Sequence, residues 1–164
     1  SAAAAQPYVL EGKSIHVSDG DTITLLTADH TKRTIRLASI DAPENTHSEK
    51  QSGRVGQPFS SNATRYLSDL TKGRAVLAQC YEADRYGRDV CDLKVDGLLV
   101  NREMVKAGWA WANKAANGRY LRDHSLVELE SDARRQRLGL WADAAPVAPW
   151  AWRATCRTDG HCRQ

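Results

Sequence analysis

The chain has 164 residues, of which 41% are hydrophobic and 26% are charged, and this is the size and composition of one globular domain that buries its own core. No apolar stretch is long enough to cross a bilayer, which argues against a membrane-spanning protein. The net charge of +3 does not by itself indicate a nucleic-acid partner, although 16 of the 23 basic residues are arginines, which make forked contacts to phosphate and also accompany GC-rich coding.

The chain begins with Ser1-Ala2-Ala3-Ala4-Ala5-Gln6, which fits either a terminus left by signal-peptide cleavage or a cloning remnant. We expect residues 1–7 to be a flexible segment. From Tyr8 to about Val95, apolar and polar residues alternate, which predicts strands joined by turns. The clearest of these strands are at 15–17, 22–25, 34–37 and 76–78, with a hairpin loop at 29–32.

Three helices are predicted, the first of them from apolar residues at helical spacing on one face. They cover about 58–72, 100–106 and 121–137, and glycines follow the first two. Residues 44–56 lack periodicity and predict a mobile surface loop. A meander of short strands with a helix inserted between the third and fourth predicts an α+β fold, a small five-stranded OB-fold β-barrel with about three α-helices.

The four cysteines form two local pairs, Cys80 with Cys91 and Cys156 with Cys162. Neither spacing fits a zinc site. Two disulfides are predicted, and with them an oxidising compartment, so the protein is expected to be secreted or periplasmic. The alternative is four reduced, unrelated thiols in the cytosol. Residues 143–164 are rich in alanine and proline and predict an extended C-terminal tail with a local disulfide.

Carboxylates cluster where the predicted strands end. Asp19 and Asp21 flank Gly20, and Asp41 ends a predicted strand from Arg36, where an antiparallel partner would bring it opposite Asp21. Carboxylates this close repel one another unless a cation lies among them, which indicates a hard-metal site. Calcium tolerates such an irregular, partly hydrated set of oxygen atoms better than magnesium does. The alternative is that Asp-Gly-Asp is simply a turn.

A further carboxylate and two arginines complete the candidate site. Pro43 fixes the backbone that carries Glu44, whose carboxylate would order a water or take its proton. Arg36 and Arg88 would supply guanidinium groups to an anion. Each has a simpler alternative: a solvated glutamate, a cation that balances a buried aspartate, and a turn residue. Taken together, the carboxylates and arginines indicate chemistry on a phosphate.

Four segments resemble the staphylococcal nuclease-like (thermonuclease) family: Asp19-Gly20-Asp21-Thr22, Arg36-Leu37, Ile40-Asp41-Ala42-Pro43-Glu44 and Asp84-Arg85-Tyr86-Gly87-Arg88. The likeness covers roughly residues 8–142, as one catalytic domain, and continues through Val100-Asn101 and Leu138-Gly139-Leu140-Trp141. The resemblance implies an OB-fold barrel and a calcium-dependent, sugar-nonspecific nuclease. Such an enzyme hydrolyses DNA and RNA by in-line attack of water and leaves 3′-phosphate ends.

The resemblance also implies roles by position. Calcium would be bound by Asp21, Asp41 and the backbone carbonyl of Ala42, with Asp19 reaching the ion through water. Catalysis would use Glu44 at the attacking water and Arg36 and Arg88 at the non-bridging oxygens. A terminal phosphate would be bound by Arg85 and Tyr86.

The chain departs from the family at two positions. The type member of the family stacks nucleic-acid bases on tyrosines there, whereas this chain has Lys114 and Ala116. Trp109, Trp111 or Tyr120 could substitute, although tryptophans near a helix end more often pack in the core.

The competing function is a non-catalytic OB-fold module that binds nucleic acid or protein. Such degenerate copies usually lack the acids or arginines that this chain retains. A disulfide-bonded inhibitor would leave these charged residues unexplained. We expect a monomer with DNA and RNA as substrates and no obligate protein partner.

Overall fold

The computed structural model describes residues 6–45 and 56–156. Most of the predicted loop 44–56, the first five residues of the predicted flexible segment and Cys162 lie outside these ranges. Within them, no helix combines the length and the apolar character needed to cross a membrane.

Eight strands are present in the described ranges, and five of them close into the predicted OB-fold barrel. In chain order they are β1 (Tyr8–Asp19), β2 (Thr22–Thr27), β3 (Lys32–Leu37), β4 (Ile40–Asp41), β5 (Ala75–Ala83), β6 (Asp89–Val95), β7 (Leu98–Leu99) and β8 (Trp111–Ala112). The barrel order is β3-β2-β1-β5-β6, and a parallel pairing of β3 with β6 closes it. The fold class and the barrel predicted from the alternating pattern are confirmed.

Alternation along the strands separates the core from the site. Ile35 and Leu37 of β3 are buried inside the barrel together with Ile23, Leu25 and Leu93, whereas Arg36 between them faces the other way. Full burial of one such aliphatic side chain contributes about 1.5–3 kcal/mol. The barrel core therefore fixes the direction in which Arg36 points.

Three longer helices pack on the barrel: α1 (Ser60–Thr71), α2 (Val100–Lys106) and α3 (Ser125–Arg135). The bounds of α2 match the prediction, and α1 is slightly shorter because Phe59 has a left-handed backbone with φ 70°. The third helix was predicted over 121–137 but is shorter at both ends. At its start, the N–H groups of residues 122 and 123 donate to the Ser39 hydroxyl instead of extending the helix. A turn at Ala115–Gly118, in which Ala116 and Asn117 have left-handed backbones, and a 3₁₀ turn at Gly139–Ala142 complete this part of the fold.

The tail is not extended throughout, contrary to the prediction. A helical turn at Pro149–Ala151 continues into a π-helical segment at Trp152–Cys156. Pro149 is suited to a helix start because its fixed φ is helical and it needs no N–H partner. Trp152 and Cys156 lie on one face of this segment and are both buried, and the Trp150 ring packs edge-on against Trp111 at 5.6 Å. Burial of apolar side chains thus folds this part of the tail onto the domain.

The structure contains the Cys80–Cys91 disulfide, which joins two residues directly opposite each other on β5 and β6. These strands form the hairpin whose turn carries residues 84–88, so the bond ties the two arms of that hairpin. The second predicted disulfide cannot be placed, because Cys162 lies outside the described residues.

Asp89 lies at the seam where β3 and β6 close the barrel. Its buried carboxylate accepts hydrogen bonds from Nε and Nη2 of Arg33, at 2.9 and 2.8 Å, and from the hydroxyl of Tyr8. Burial alone would raise its pKa, but the bonds from Arg33 and Tyr8 outweigh this and hold the pKa of Asp89 below its usual range. One carboxylate therefore links strands β1, β3 and β6.

We expect Asp89→Asn to lower the free energy of unfolding by about 2 kcal/mol, because the charge-assisted bonds to Arg33 and Tyr8 are lost. Since the folded-state pKa is lowered, the ionised carboxylate stabilises the fold above its ordinary pKa of 3.8, and this contribution disappears as the pH falls through the folded value. Denaturant unfolding at about pH 7 and about pH 3 should show the wild-type advantage shrinking in acid. Asp132→Asn, which removes an exposed partner of Arg135, is the control and should change little. An equal loss at both pH values would contradict a charge-based origin.

Candidate active site

Asp21 lies in the tight turn between β1 and β2. Gly20 allows this turn to approach the next layer, because a Cβ atom at residue 20 would lie 2.7 Å from the Cβ atoms of both Ala42 and Ala63. Oδ2 of Asp21 accepts the N–H of Ala42 at 2.9 Å, and Oδ1 of Asp19 accepts the N–H of Asp21 at 3.1 Å. The Asp-Gly-Asp sequence is therefore a turn, and the turn also places a carboxylate beside Ala42.

Asp41 does not continue the strand of Arg36. Ser39 has a left-handed backbone with φ 68°, so the chain turns after β3 and Asp41 stands on β4, paired with Trp111 of β8. The prediction that a strand partner places Asp41 directly opposite Asp21 is wrong for this reason. The two carboxylates nevertheless meet at a shared cation, Arg36.

Arg36 lies between the two carboxylates. Its Nη2 is 3.5 Å from Oδ2 of Asp21 and 3.6 Å from Oδ1 of Asp41. Its Nη1 donates to the carbonyls of Leu37 and Ile40, at 2.7 and 3.0 Å. The side chain is 16% exposed, so a largely buried guanidinium balances part of the acidic charge.

The carboxylates of Asp19, Asp21 and Asp41 form an acidic group, and burial disfavours the negative charge that they carry. Burial raises the pKa of Asp19 well above its usual range, and the adjacent charge of Asp21 adds to this effect. Burial also raises the pKa of Asp41 despite its arginine neighbours. For Asp21, burial is outweighed by Arg36 and by hydrogen bonds to the carboxylate, which lower its pKa. This balance favours a further cation among the carboxylates.

Two hydrogen bonds with Gln57 fix the backbone of Glu44. Its N–H donates to Oε1 of Gln57 at 3.2 Å, and its carbonyl accepts the N–H of Gln57 at 2.7 Å. Gln57 is buried, and its Nε2 donates to the carbonyl of Val147 in the tail. Sequence analysis missed Gln57, which couples the loop of Glu44 to the C-terminal segment.

Arg153, also missed, bridges two of the predicted site residues. Its Nη2 donates to Oδ2 of Asp41 at 2.6 Å, and its Nη1 donates to Oδ1 of Asp41 at 3.1 Å and to Oε1 of Glu44 at 2.5 Å. Burial would lower the pKa of this guanidinium, but Asp41 and Glu44 raise it, so the side chain stays charged. A cation of the chain itself thus lies between these carboxylates.

A basic cleft of about 530 Å³ adjoins Arg36. Its lining includes five arginines and two tyrosines, namely Arg36, Arg85, Arg88, Arg119, Arg122, Tyr86 and Tyr120. The carboxylates in the same lining are Glu82 and Asp84. Five guanidinium groups against two carboxylates make this cleft suited to a polyanion.

The β5–β6 turn orients Arg88. Asp84 Oδ1 accepts the N–H groups of Tyr86 and Arg88, at 2.9 and 3.0 Å, and its Oδ2 accepts Nε of Arg88 at 2.7 Å. Gly87 supplies the φ of +80° that the turn requires. The guanidinium carbons of Arg85 and Arg88 lie 4.9 and 5.5 Å from the centre of the Tyr86 ring. Sequence analysis missed this role of Asp84, although an aspartate that opens a glycine turn typically caps backbone N–H groups in this way.

The structure separates the three aromatic candidates for base contact. Trp111 is buried, with its ring centre 4.5 Å from that of Trp141, and Trp109 packs against the core. Tyr120 is 51% exposed and lines the basic cleft. Of the three, Tyr120 has the aromatic face that a base in the cleft could reach.

The predicted metal ligands are two carboxylates and one backbone carbonyl, which leave part of a coordination shell open. Within residues 6–45 and 56–156, no three histidine, cysteine, aspartate or glutamate side chains are grouped closely enough to hold an ion alone. An ion at Asp21, Asp41 and the carbonyl of Ala42 would complete its shell with water or substrate oxygens, which calcium tolerates. Oxygen donors that carry buried negative charge suit a hard cation. The guanidinium bound between Asp41 and Glu44 shows that these carboxylates attract positive charge.

Comparisons with known proteins identify the family of this chain. Residues 34–143 match the model of the family described as staphylococcal nuclease homologue. An uncharacterized endonuclease of Escherichia coli O157:H7 is 37% identical over 145 residues, which cover 88% of this chain and 85% of that protein. A micrococcal nuclease of Shigella flexneri is 39% identical over 151 residues, which cover 87% of this chain and 79% of that protein. The staphylococcal-like nuclease CAN1 of Arabidopsis thaliana is 35% identical over 123 residues, which cover 75% of this chain and 34% of that protein. The chain therefore belongs to the staphylococcal nuclease homologue family.

Proposed function

We propose that this nuclease uses calcium to hydrolyse the phosphodiester bonds of both DNA and RNA and leaves 3′-phosphate ends. The observation that carries the proposal is the position of Arg36. On one side it contacts Asp21 and Asp41, and on the other it lines the arginine-rich cleft. A phosphate that enters the cleft and binds Arg36 is therefore held next to the acidic group.

The acidic group would hold the metal. Its ligands would be the side chains of Asp21 and Asp41 and the carbonyl of Ala42, with Asp19 acting through a bound water. When bound, calcium would supply positive charge to a phosphoryl oxygen as a Lewis acid. We favour calcium over magnesium because two carboxylates, a carbonyl and added waters would form an irregular oxygen set, whereas magnesium requires near-octahedral geometry.

The remaining charged residues act on water and phosphate. Glu44 orders the attacking water or accepts its proton as the oxygen–phosphorus bond forms. Arg36 and Arg88 bind the non-bridging oxygens, where negative charge increases in the transition state. The bond from phosphorus to the 5′ oxygen then breaks, and this oxygen takes up a proton, which leaves the phosphate on the 3′ side. Arg85 and Tyr86 bind a terminal phosphate.

The chemistry of the cleft supports action on both nucleic acids. Guanidinium groups bind phosphates, and the Tyr120 ring offers a face on which any base can stack, so none of these contacts reads the 2′-hydroxyl. All proposed residues come from one chain, so a monomer suffices. The Cys80–Cys91 bond supports work in an oxidising compartment, either secreted or periplasmic.

One experiment tests these statements together. Single- and double-stranded DNA and RNA are incubated with the protein in calcium, in magnesium and in a chelator, and the product ends are identified. We expect cleavage of both nucleic acids in calcium, little in magnesium and none in chelator, with 3′-phosphate and 5′-hydroxyl ends. Strong magnesium activity or 5′-phosphate ends would overturn the metal assignment or the mechanism, respectively. Binding without cleavage under every condition would favour a non-catalytic module.

A further inference from the structure

We propose that Arg153 is a built-in competitor of the divalent cation, and that the ion must displace its guanidinium from Asp41 in order to bind. This inference rests on the proposed function, since it concerns the same acidic group. It assigns to the C-terminal segment a regulatory contact that sets how much metal the enzyme requires.

Competition follows from the occupancy of the carboxylate oxygens. Both oxygens of Asp41 accept hydrogen bonds from Arg153, and Oδ1 also lies 3.6 Å from Arg36. Lone pairs of Asp41 remain beside these contacts, but a calcium ion bound to the same carboxylate would lie within a few ångströms of the Arg153 guanidinium. The two positive charges would repel each other, so the ion and Arg153 compete for Asp41. The carboxylate is fully buried, so rotation into solvent does not provide an alternative.

The same guanidinium also engages Glu44, the proposed partner of the attacking water. Arg153 therefore restrains a metal ligand and a catalytic carboxylate at once. Its departure would release both in a single step, so metal binding and the availability of Glu44 become one event. This is the arrangement expected of an autoinhibitory contact rather than of a surface ion pair.

The segment that carries Arg153 is anchored, whereas its side chain is able to leave. Trp152, directly before Arg153 in the chain, and Cys156, three positions after it, are both buried, and the carbonyl of Val147 accepts a hydrogen bond from the buried Gln57. The Arg153 side chain itself is 34% exposed, so it can swing toward solvent without unfolding its segment. Its backbone is π-helical, a distortion that often accompanies functional positions.

Calcium titration of the full chain by calorimetry tests the proposal. We expect Arg153→Gln to bind calcium about tenfold or more tightly than the wild type, the factor expected when a charge-assisted competitor is removed. Arg135→Gln is the matched control, because it removes an exposed arginine from an aspartate pair elsewhere, and it should titrate like the wild type. Equal or weaker calcium binding by Arg153→Gln would overturn the proposal.

A second readout needs no change to the charge of the site. In the wild type, the guanidinium resonances of Arg153, assigned with Arg153→Lys, should lose their hydrogen-bonded character when calcium saturates the protein. Unchanged resonances at saturation would also overturn the proposal. A different result would contradict the proposed function itself. If neither the wild type nor Arg153→Gln binds calcium, the metal site is absent and there is no competition for it. If both bind equally, the metal site stands and only the competition fails.

Discussion

Replacement of Arg88 by alanine is expected to lower kcat by about three orders of magnitude, because one preorganised donor to developing oxyanion charge contributes a factor of about 10² to 10³. Asp84 holds this guanidinium in the cleft before substrate arrives, so little reorganisation is needed during the reaction. KM should change far less, since four arginines of the cleft remain: Arg36, Arg85, Arg119 and Arg122. Steady-state kinetics on a labelled oligonucleotide measure both constants.

Two variants bracket this result. Arg88→Lys keeps the charge but loses the planar fork, so its kcat should fall between those of the wild type and Arg88→Ala. Arg135→Ala removes an exposed arginine outside the cleft and should leave the rate unchanged. A near-normal kcat for Arg88→Ala would mean that this arginine stabilises the 84–88 turn and has no part in catalysis.

Asp21→Asn is expected to weaken calcium binding by roughly 100-fold or more, since mutation of groups that only support metal ligands already costs 10- to 100-fold. Asparagine has nearly the shape of aspartate and keeps one acceptor oxygen, so the hydrogen bond from Ala42 can persist. The loss would therefore report the missing charge. Calorimetry measures the affinity, and the calcium needed for half-maximal cleavage should rise with it.

Asp29→Asn supplies the comparison for this change. Asp29 also lies in a strand turn and accepts a threonine hydroxyl, but it is exposed and remote from the acidic group. Its replacement should leave calcium affinity unaltered. If Asp21→Asn binds calcium like the wild type, the ion is bound elsewhere in the protein.

One residue explains two of the differences between prediction and structure. Ser39 adopts a left-handed backbone that is uncommon for serine, so the chain turns and Asp41 leaves the line of β3. The Ser39 hydroxyl then accepts the N–H groups of Arg122 and Asp123, which delays the start of α3. The second effect depends on contacts across 83 and 84 positions of the chain, which local periodicity does not reveal. The positions of β2 and β3 and the bounds of α2 agree with their local patterns, whereas β1 and β5 are longer than the strands predicted at 15–17 and 76–78.

The candidate site likewise has one part that local sequence patterns predict and one part that depends on distant contacts. The Asp84–Arg88 turn could be recognised because aspartate and glycine are typical of that geometry. Arg153 could not be found, because it lies 112 positions from Asp41 and follows a segment whose alanines and prolines predict an extended chain. It reaches Asp41 because burial of Trp152 and Cys156 folds the segment back onto the domain.

The parallel seam between β3 and β6 has a consequence for the newly made protein. Arg36 pairs with Val90, two positions beyond Arg88, so this ladder brings the two arginines from distant parts of the chain to one end of the barrel. Pairing of such distant strands carries a large loop-closure cost and is therefore slow compared with hairpin formation. Until the seam forms, the polypeptide has every reactive group but no assembled centre. Nuclease activity should therefore appear late in folding, when the barrel closes.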